Sequence, residues 1–287
     1  MSMAAREVII GMLVWIEENI REDIQLRDIE TRSGYTRWYF NRVFCQVMDI
    51  NVAEYIRRRR LTLAFAELKI TSRTVSEIAI GLGFGTVQSF CRAFRLQYGC
   101  TPLQARRDPV TDFRKQLPGP ESNDQFCLDK IIYTELKIRS LKISMSDENA
   151  IINHSGHYIQ SKVTRFQKRL QADVDSLGFA IEINSLASER RGTQYIHPVE
   201  ALRPDSREGQ ERINYKVLDE GRYAVLYMRV SAEVIHRVTE YLYTHYLPAC
   251  PLIKRDGLDF MQIRGQVRGS PDMRKVIYFM PIDYTDN

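Results

Sequence analysis

Two short stretches of this chain hold side chains able to read the edges of a nucleic-acid duplex. One contains Trp38, Asn41 and Arg42, and the other contains Val87, Gln88 and Arg92. Arginine can donate two parallel bonds to guanine, asparagine or glutamine can pair with adenine, and valine can meet a thymine methyl. Near them Arg37, Arg58, Thr86 and Arg95 offer donors suited to phosphate oxygens. Other chemistries are poorly supplied. The five cysteines (Cys45, Cys91, Cys100, Cys127, Cys250) are scattered without a close pair, and His154 and His157 have no cysteine beside them, so neither a disulfide framework nor a metal site is expected. Cys250, in Pro-Ala-Cys-Pro, has no histidine after it to activate the thiol, and no Gly-rich phosphate loop is visible. We expect no catalytic residues, no enzyme and no cofactor.

The reading residues need helices to carry them, and a repeat supplies these. Leu26, Asp28, Ile29, Gly34 and Tyr35 align with Val75, Glu77, Ile78, Gly83 and Phe84 at an offset of 49. After the glycine the offset is 50, where Thr36, Phe40, Arg42 and Phe44 meet Thr86, Phe90, Arg92 and Phe94. Each copy reads as helix, glycine turn, helix, with one extra residue near Gly85 in the second. Spacing residues at about 100° buries Phe40, Val43, Phe44 and Val47 and turns Trp38, Asn41, Arg42 and Cys45 outward. In the second copy Phe90, Ala93 and Phe94 are buried, while Gln88, Cys91, Arg92 and Arg95 face out. Between the copies, residues 51–68 read as one helix of roughly 27 Å, able to set the two readers about one duplex turn apart. It carries the run Arg57 to Arg60, of which one or two can face phosphate while the others pair with acids or cover core edges.

Charge follows the same division. The net charge is +5, and residues 1–107 hold 16 basic against 11 acidic side chains, so the whole excess lies there. The apolar run from Val8 to Ile16 is too short to span a bilayer, which with the cysteine usage predicts a cytoplasmic protein with no membrane partner. Pro109, Pro118, Gly119 and Pro120 mark residues 108–124 as a linker between an all-α first domain (1–107) and a second domain (125–287). The second domain predicts an α+β fold, an antiparallel sheet with two packed helices. Strands are expected at 136–143, 215–217, 223–230, 261–267 and 276–280, helices near 161–177 and 232–246, and a turn at Glu220-Gly221-Arg222.

The string Ala53-Glu-Tyr-Ile-Arg-Arg-Arg-Arg-Leu61, with Ile78-Ala79, Gly83-Phe84, Ser89-Phe90, Arg92-Ala93-Phe94 and Gly99-Cys-Thr-Pro102, resembles the AraC/XylS family of bacterial transcriptional activators. Gly34-Tyr35 with Trp38, Asn41 and Arg42 is most similar to its MarA/SoxS/Rob subgroup of stress and multidrug-resistance activators. The order, DNA-binding domain first and a large domain second, is that of Rob-type members. That resemblance implies promoter DNA and RNA polymerase as partners. The subgroup has two consecutive glutamines where this chain has Val87-Gln88, which implies an altered second half-site.

Gly221-Arg-Tyr-Ala-Val-Leu226, Tyr241 to Pro248 and Val276-Ile-Tyr-Phe-Met-Pro-Ile282 resemble GyrI-like effector-binding domains. Met261 stands where many such domains hold an acidic residue, which implies a neutral or hydrophobic effector, or none. Tyr195, Tyr223, Tyr227 and Phe260 are the candidate pocket residues, and core packing explains them equally well. The expected function is that of a monomeric activator on an asymmetric two-block site. Two alternatives are a DNA-guided methyl-accepting protein acting through Cys250, and a GyrI-type sequestering protein with secondary DNA binding.

Overall fold

A computed structural model describes residues 3–71, 73–120, 126–136, 142–145, 150–151, 176–182, 195–200, 214–217, 221–250, 252–257 and 259–283. The first part is helical: α1 (Met3–Glu18), α2 (Leu26–Ser33), α3 (Arg37–Met48), α4 (Val52–Ile70), α5 (Val75–Gly81), α6 (Val87–Tyr98) and α7 (Pro102–Arg107). Ile9, Ile16, Phe40, Phe44, Tyr55, Leu61, Phe90 and Phe94 close one apolar core around α4.

The repeat is visible in backbone detail. Each first helix leads to a left-handed glycine, Gly34 at φ 69° and Gly83 at φ 70°. Each second helix opens on a threonine whose hydroxyl accepts an N–H three residues on, Thr36 from Tyr39 and Thr86 from Ser89. Each then ends on a left-handed residue, Asp49 or Gly99, and a polar cap, Asn51 or Thr101, starts the next helix. One glycine is more constrained than the other. A Cβ on Gly34 would meet nothing within 4 Å, whereas on Gly83 it would lie 3.0 Å from Arg60 Nη1. That guanidinium is held by the Ile20 and Glu22 carbonyls. Gly34→Ala should therefore cost about 1 kcal/mol from backbone strain alone, and Gly83→Ala more than that. Chemical denaturation of the two variants measures the difference.

The second part centres on an antiparallel sheet, as its sequence predicts. Its strands are β1 (Thr111–Asp112), β2 (Phe126–Leu136), β3 (Lys142–Met145), β4 (Ala150–Ile151), β5 (Ser176–Glu182), β6 (Tyr195–Glu200), β7 (Asn214–Val217), β8 (Gly221–Ser231), β9 (Ile253–Lys254), β10 (Asp259–Val267) and β11 (Ser270–Asp283). The path runs β2, β8, β11, β10, β5, β6, β3, β7, and β9 links β1 to the end of β11. On one face Leu226, Met228, Val230, Met261, Ile263, Tyr278 and Met280 pack against residues 235–249.

Several expectations are corrected. The strand expected at 136–143 is the end of β2 and the start of β3, with 137–141 outside the described residues. The register of β2 shifts between Leu128 and Lys130, and this bulge breaks the two-residue alternation that marks a strand in sequence. The helix expected at 232–246 is a composite: 3-10 turns at Ile235–Arg237 and Leu247–Ala249 flank α8 (Val238–Tyr241) and a π-helical turn, Leu242–Tyr246. Of the expected helix at 161–177, residues 161–175 lie outside the described residues, and Ser176 and Leu177 belong to β5. His154, His157 and Glu220 also lie outside them.

Candidate nucleic-acid interface

The outward faces of α3 and α6 follow from how their aromatic faces are buried. Phe40 packs on Phe44 and Phe44 on Tyr55, while Phe90 packs on Phe84 and Phe94 on Phe65 and Tyr98, which fixes each helix about its axis. Trp38 is left 69% exposed, too open for a core residue. The Arg42 guanidinium lies over its ring, 5.4 Å from the centroid, so the two form one outward patch. Arg37 is exposed beside them, as are Tyr39 and Gln46. Gln46 follows Arg42 at the i+4 spacing, which is the signal that could have found it.

On α6, Gln88, Arg92 and Arg95 are exposed, and Thr86 stands exposed at the cap. Leu96 continues the Gln88 and Arg92 stripe and is 78% exposed, an apolar group on this outward face that residue typing alone passes over. Two expected readers are placed differently. Val87 is half-buried, because at the first position of the helix it still packs against the helical core. Asn41 is half-buried too, and its Oδ1 accepts the Val52 N–H at 3.3 Å, tying α3 to the start of α4. The structure thus brings Trp38 and Arg42 together on α3, and Gln88, Arg92 and Arg95 on α6.

The arginine run divides its work as its length requires. Arg57 pairs with Glu54 and Arg60 donates to the Ile20 and Glu22 carbonyls. Arg59 is fully buried against Glu17, with N···O distances of 2.7 Å. Arg58 has no hydrogen-bond or ion-pair partner among the described residues, and its Nε is buried unpaired.

The stretch expected to be a linker is folded onto both neighbours. Phe113 is buried against Tyr243, Thr111–Asp112 pairs with β9, and the Leu117 carbonyl accepts from Arg59. Gln97 on α6 donates to the Lys115 carbonyl at 2.8 Å. Proline and glycine content marks the absence of a regular element, and says nothing against packing.

In the second part, Tyr223 is fully buried and Tyr227 half-buried on the sheet face away from residues 235–249, with Val225, Ile277 and Phe279. Phe260 adjoins this group through Phe279, at 5.6 Å between centroids. Tyr195 lies in β6, and its side chain is outside what is described. Sequence reading missed Asp259, two residues before Met261 and so on the same face of β10. It is fully buried and accepts from Tyr278 (2.6 Å) and Tyr243 (3.1 Å), with Lys254 Nζ 3.3 Å from Oδ1. Burial raises its carboxyl, opposed first by the Lys254 cation.

Comparison with known proteins follows the same division. Residues 29–108 match a family model described as a helix-turn-helix domain, and residues 150–282 match a GyrI-like small molecule binding domain. The first part is 44% identical over 103 residues to the transposon Tn10 TetD protein of Escherichia coli, spanning 36% of this chain and 75% of that one. It is 38% identical over 104 residues to the regulatory protein SoxS of Escherichia coli, across 36% of this chain and 97% of SoxS. The HTH-type transcriptional activator AarP of Providencia stuartii is 41% identical over 95 residues, 33% of this chain and 70% of AarP. With the repeated helix pairs whose second helices open on a threonine cap, these matches establish that the chain belongs to the AraC/XylS family of helix-turn-helix transcriptional regulators.

Proposed function

We propose that this regulator binds one asymmetric DNA site of two blocks as a monomer, with α3 and α6 in successive major grooves and α4 as the spacer between them. The observation that carries this reading is the pair of unlike outward faces, Trp38 with Arg42 and Gln88 with Arg92, borne by two copies of one helical unit. A symmetric dimer reads a palindrome; one chain with two different readers needs two different half-sites. At 19 residues α4 spans about 28 Å, close to a duplex turn. Arg37, Arg95 and Thr86 flank the reading faces as phosphate contacts, and half-buried Arg58, the member of its run without a partner among the described residues, is assigned the same role. Asn41 and Val87 contribute by placing their helices.

We assign activation through RNA polymerase, in the cytoplasm, by the likeness to SoxS and AarP. The second domain serves as a regulatory module for a neutral or hydrophobic effector. Asp259 lies on the sheet face away from the candidate effector residues and is already met by Lys254 and two tyrosine hydroxyls, so it is not available to a cationic effector there. Tyr223, Tyr227 and Phe260 gather on one sheet face and are the residues we assign to it. A nucleophilic role for Cys250 is disfavoured, since burial pushes its thiol up, opposite to the shift that activates one.

A titration of purified chain into labelled duplex across a salt series tests the DNA reading. We expect a 1:1 complex whose affinity falls steeply with salt for every duplex, and less steeply per unit affinity for the preferred one. In the same assay Arg58→Ala should weaken preferred and random duplexes alike and reduce the salt slope by about 1. A selective loss on the preferred duplex would assign Arg58 to base reading instead.

A further inference from the structure

The second domain is seated on the spacer helix of the DNA reader, and one buried side chain joins them. Arg59 is 0% exposed in the middle of α4. Its Nε and Nη2 donate to the two oxygens of Glu17 on α1, each at 2.7 Å. Its Nη1 donates at 2.7 Å to the Leu117 carbonyl of the connecting segment and at 2.7 Å to the Thr244 carbonyl in the π-helical turn. A single guanidinium thus holds three segments of the chain that are far apart in sequence. Further along α4, Ala66 and Ile70 belong to the same apolar cluster as Phe113, Leu242 and Tyr278, so the end of the spacer forms part of the second domain's core.

The connecting segment closes over this joint without room to spare. A Cβ at Gly119 would fall 2.3 Å from His245 Cδ2 and 2.8 Å from Arg59 Nη2. Neither neighbour is free to yield. The His245 ring stacks on Tyr241 with centroids 5.1 Å apart, and its Nδ1 meets Thr244 Oγ1 at 2.7 Å. Beside the joint lies a cavity of about 120 Å³ between α1, α4, β2 and α8, lined by Glu17, Arg21, Phe126, Glu240 and His245 among others. The π-helical turn therefore has open space on one side and the buried Arg59 guanidinium on the other.

We infer that Arg59 is the positioning residue that couples the DNA reader to the second domain, by holding the π-helical turn 242–246 against α4. This rests on the DNA-binding reading above. Such coupling is reciprocal: whatever shifts the turn alters α4 and its two readers, and DNA on the readers must alter the turn. The turn makes none of the proposed DNA contacts, so a response there reports the joint alone.

Amide hydrogen exchange of the full chain, with and without a duplex selected by the wild-type chain, tests this. DNA should slow exchange across residues 240–247 by about fivefold or more in the wild type. In Gly119→Val, which crowds the joint from outside the reader's core, the same duplex should still bind while the slowing falls below about twofold. Unchanged exchange in a wild-type chain that has bound the duplex would overturn the coupling and leave the DNA reading intact. Equal slowing in Gly119→Val would overturn the role of the joint. A wild-type chain that binds no duplex would overturn the DNA reading and the coupling together.

Discussion

Arg59→Met should lower the unfolding free energy of the chain by about 3–5 kcal/mol, the largest single-residue effect expected here. The reason is what the change leaves behind. Glu17 would remain a largely buried carboxylate, with the Tyr55 hydroxyl at 3.0 Å as its chief remaining donor. The Leu117 and Thr244 carbonyls would each lose a donor. Burial first, and then the Arg59 cation, hold His245 down to about 4, so at neutral pH Arg59 is the cation that meets Glu17 in the wild-type chain. Adding Glu17→Leu to Arg59→Met should recover part of the loss, since it removes the stranded charge. Urea denaturation of the two single variants and the double variant gives the coupling energy. Additive losses would show that the pair does not act as a unit.

Arg42→Ala should cost about 1–3 kcal/mol in binding the preferred site, and should relax the preference at a single base position within one block. Arg42 carries this expectation because its guanidinium is exposed, stands over an exposed Trp38, and recurs as Arg92 one repeat later. Arg42→Lys should not restore the lost preference, because an ammonium cannot donate the paired bonds of a planar guanidinium. Arg92→Ala should act in the same way on the other block. Competition binding against duplexes varied one base at a time distinguishes these outcomes from general weakening, and a uniform loss on every duplex would place Arg42 among the phosphate contacts.

Much of the reader was legible in the sequence because its repeat is written in residues that have few substitutes. Left-handed turns favour Gly34 and Gly83, helix starts favour Thr36 and Thr86, and the core accepts Phe40, Phe44, Phe90 and Phe94. The side chains that departed from expectation sit where two elements meet. Asn41 looks outward on an isolated helix, but the unpaired N–H at the start of α4 claims it. Arg59 belongs to a run some of whose members were expected to pair with acids, but which member is enclosed, and by what, is set by the packing of α1, the connecting segment and the second domain around α4. Asp259 was passed over because a strand's buried acid is recognisable only once Tyr243, Tyr278 and Lys254 are seen to converge on it. In each case the missing information is a partner distant in sequence, which periodicity and local propensity do not carry.

The fold places two unlike outward faces on two copies of one helical unit, and the most direct test of the proposed double reader is what DNA the chain chooses. The whole 287-residue chain should be used to select binding sites from random duplex at one fixed salt concentration. A single chain with two unlike readers should select an asymmetric motif of two blocks about 10 base pairs apart, with different letters in each block. A palindrome, or no enriched motif at all, would contradict it.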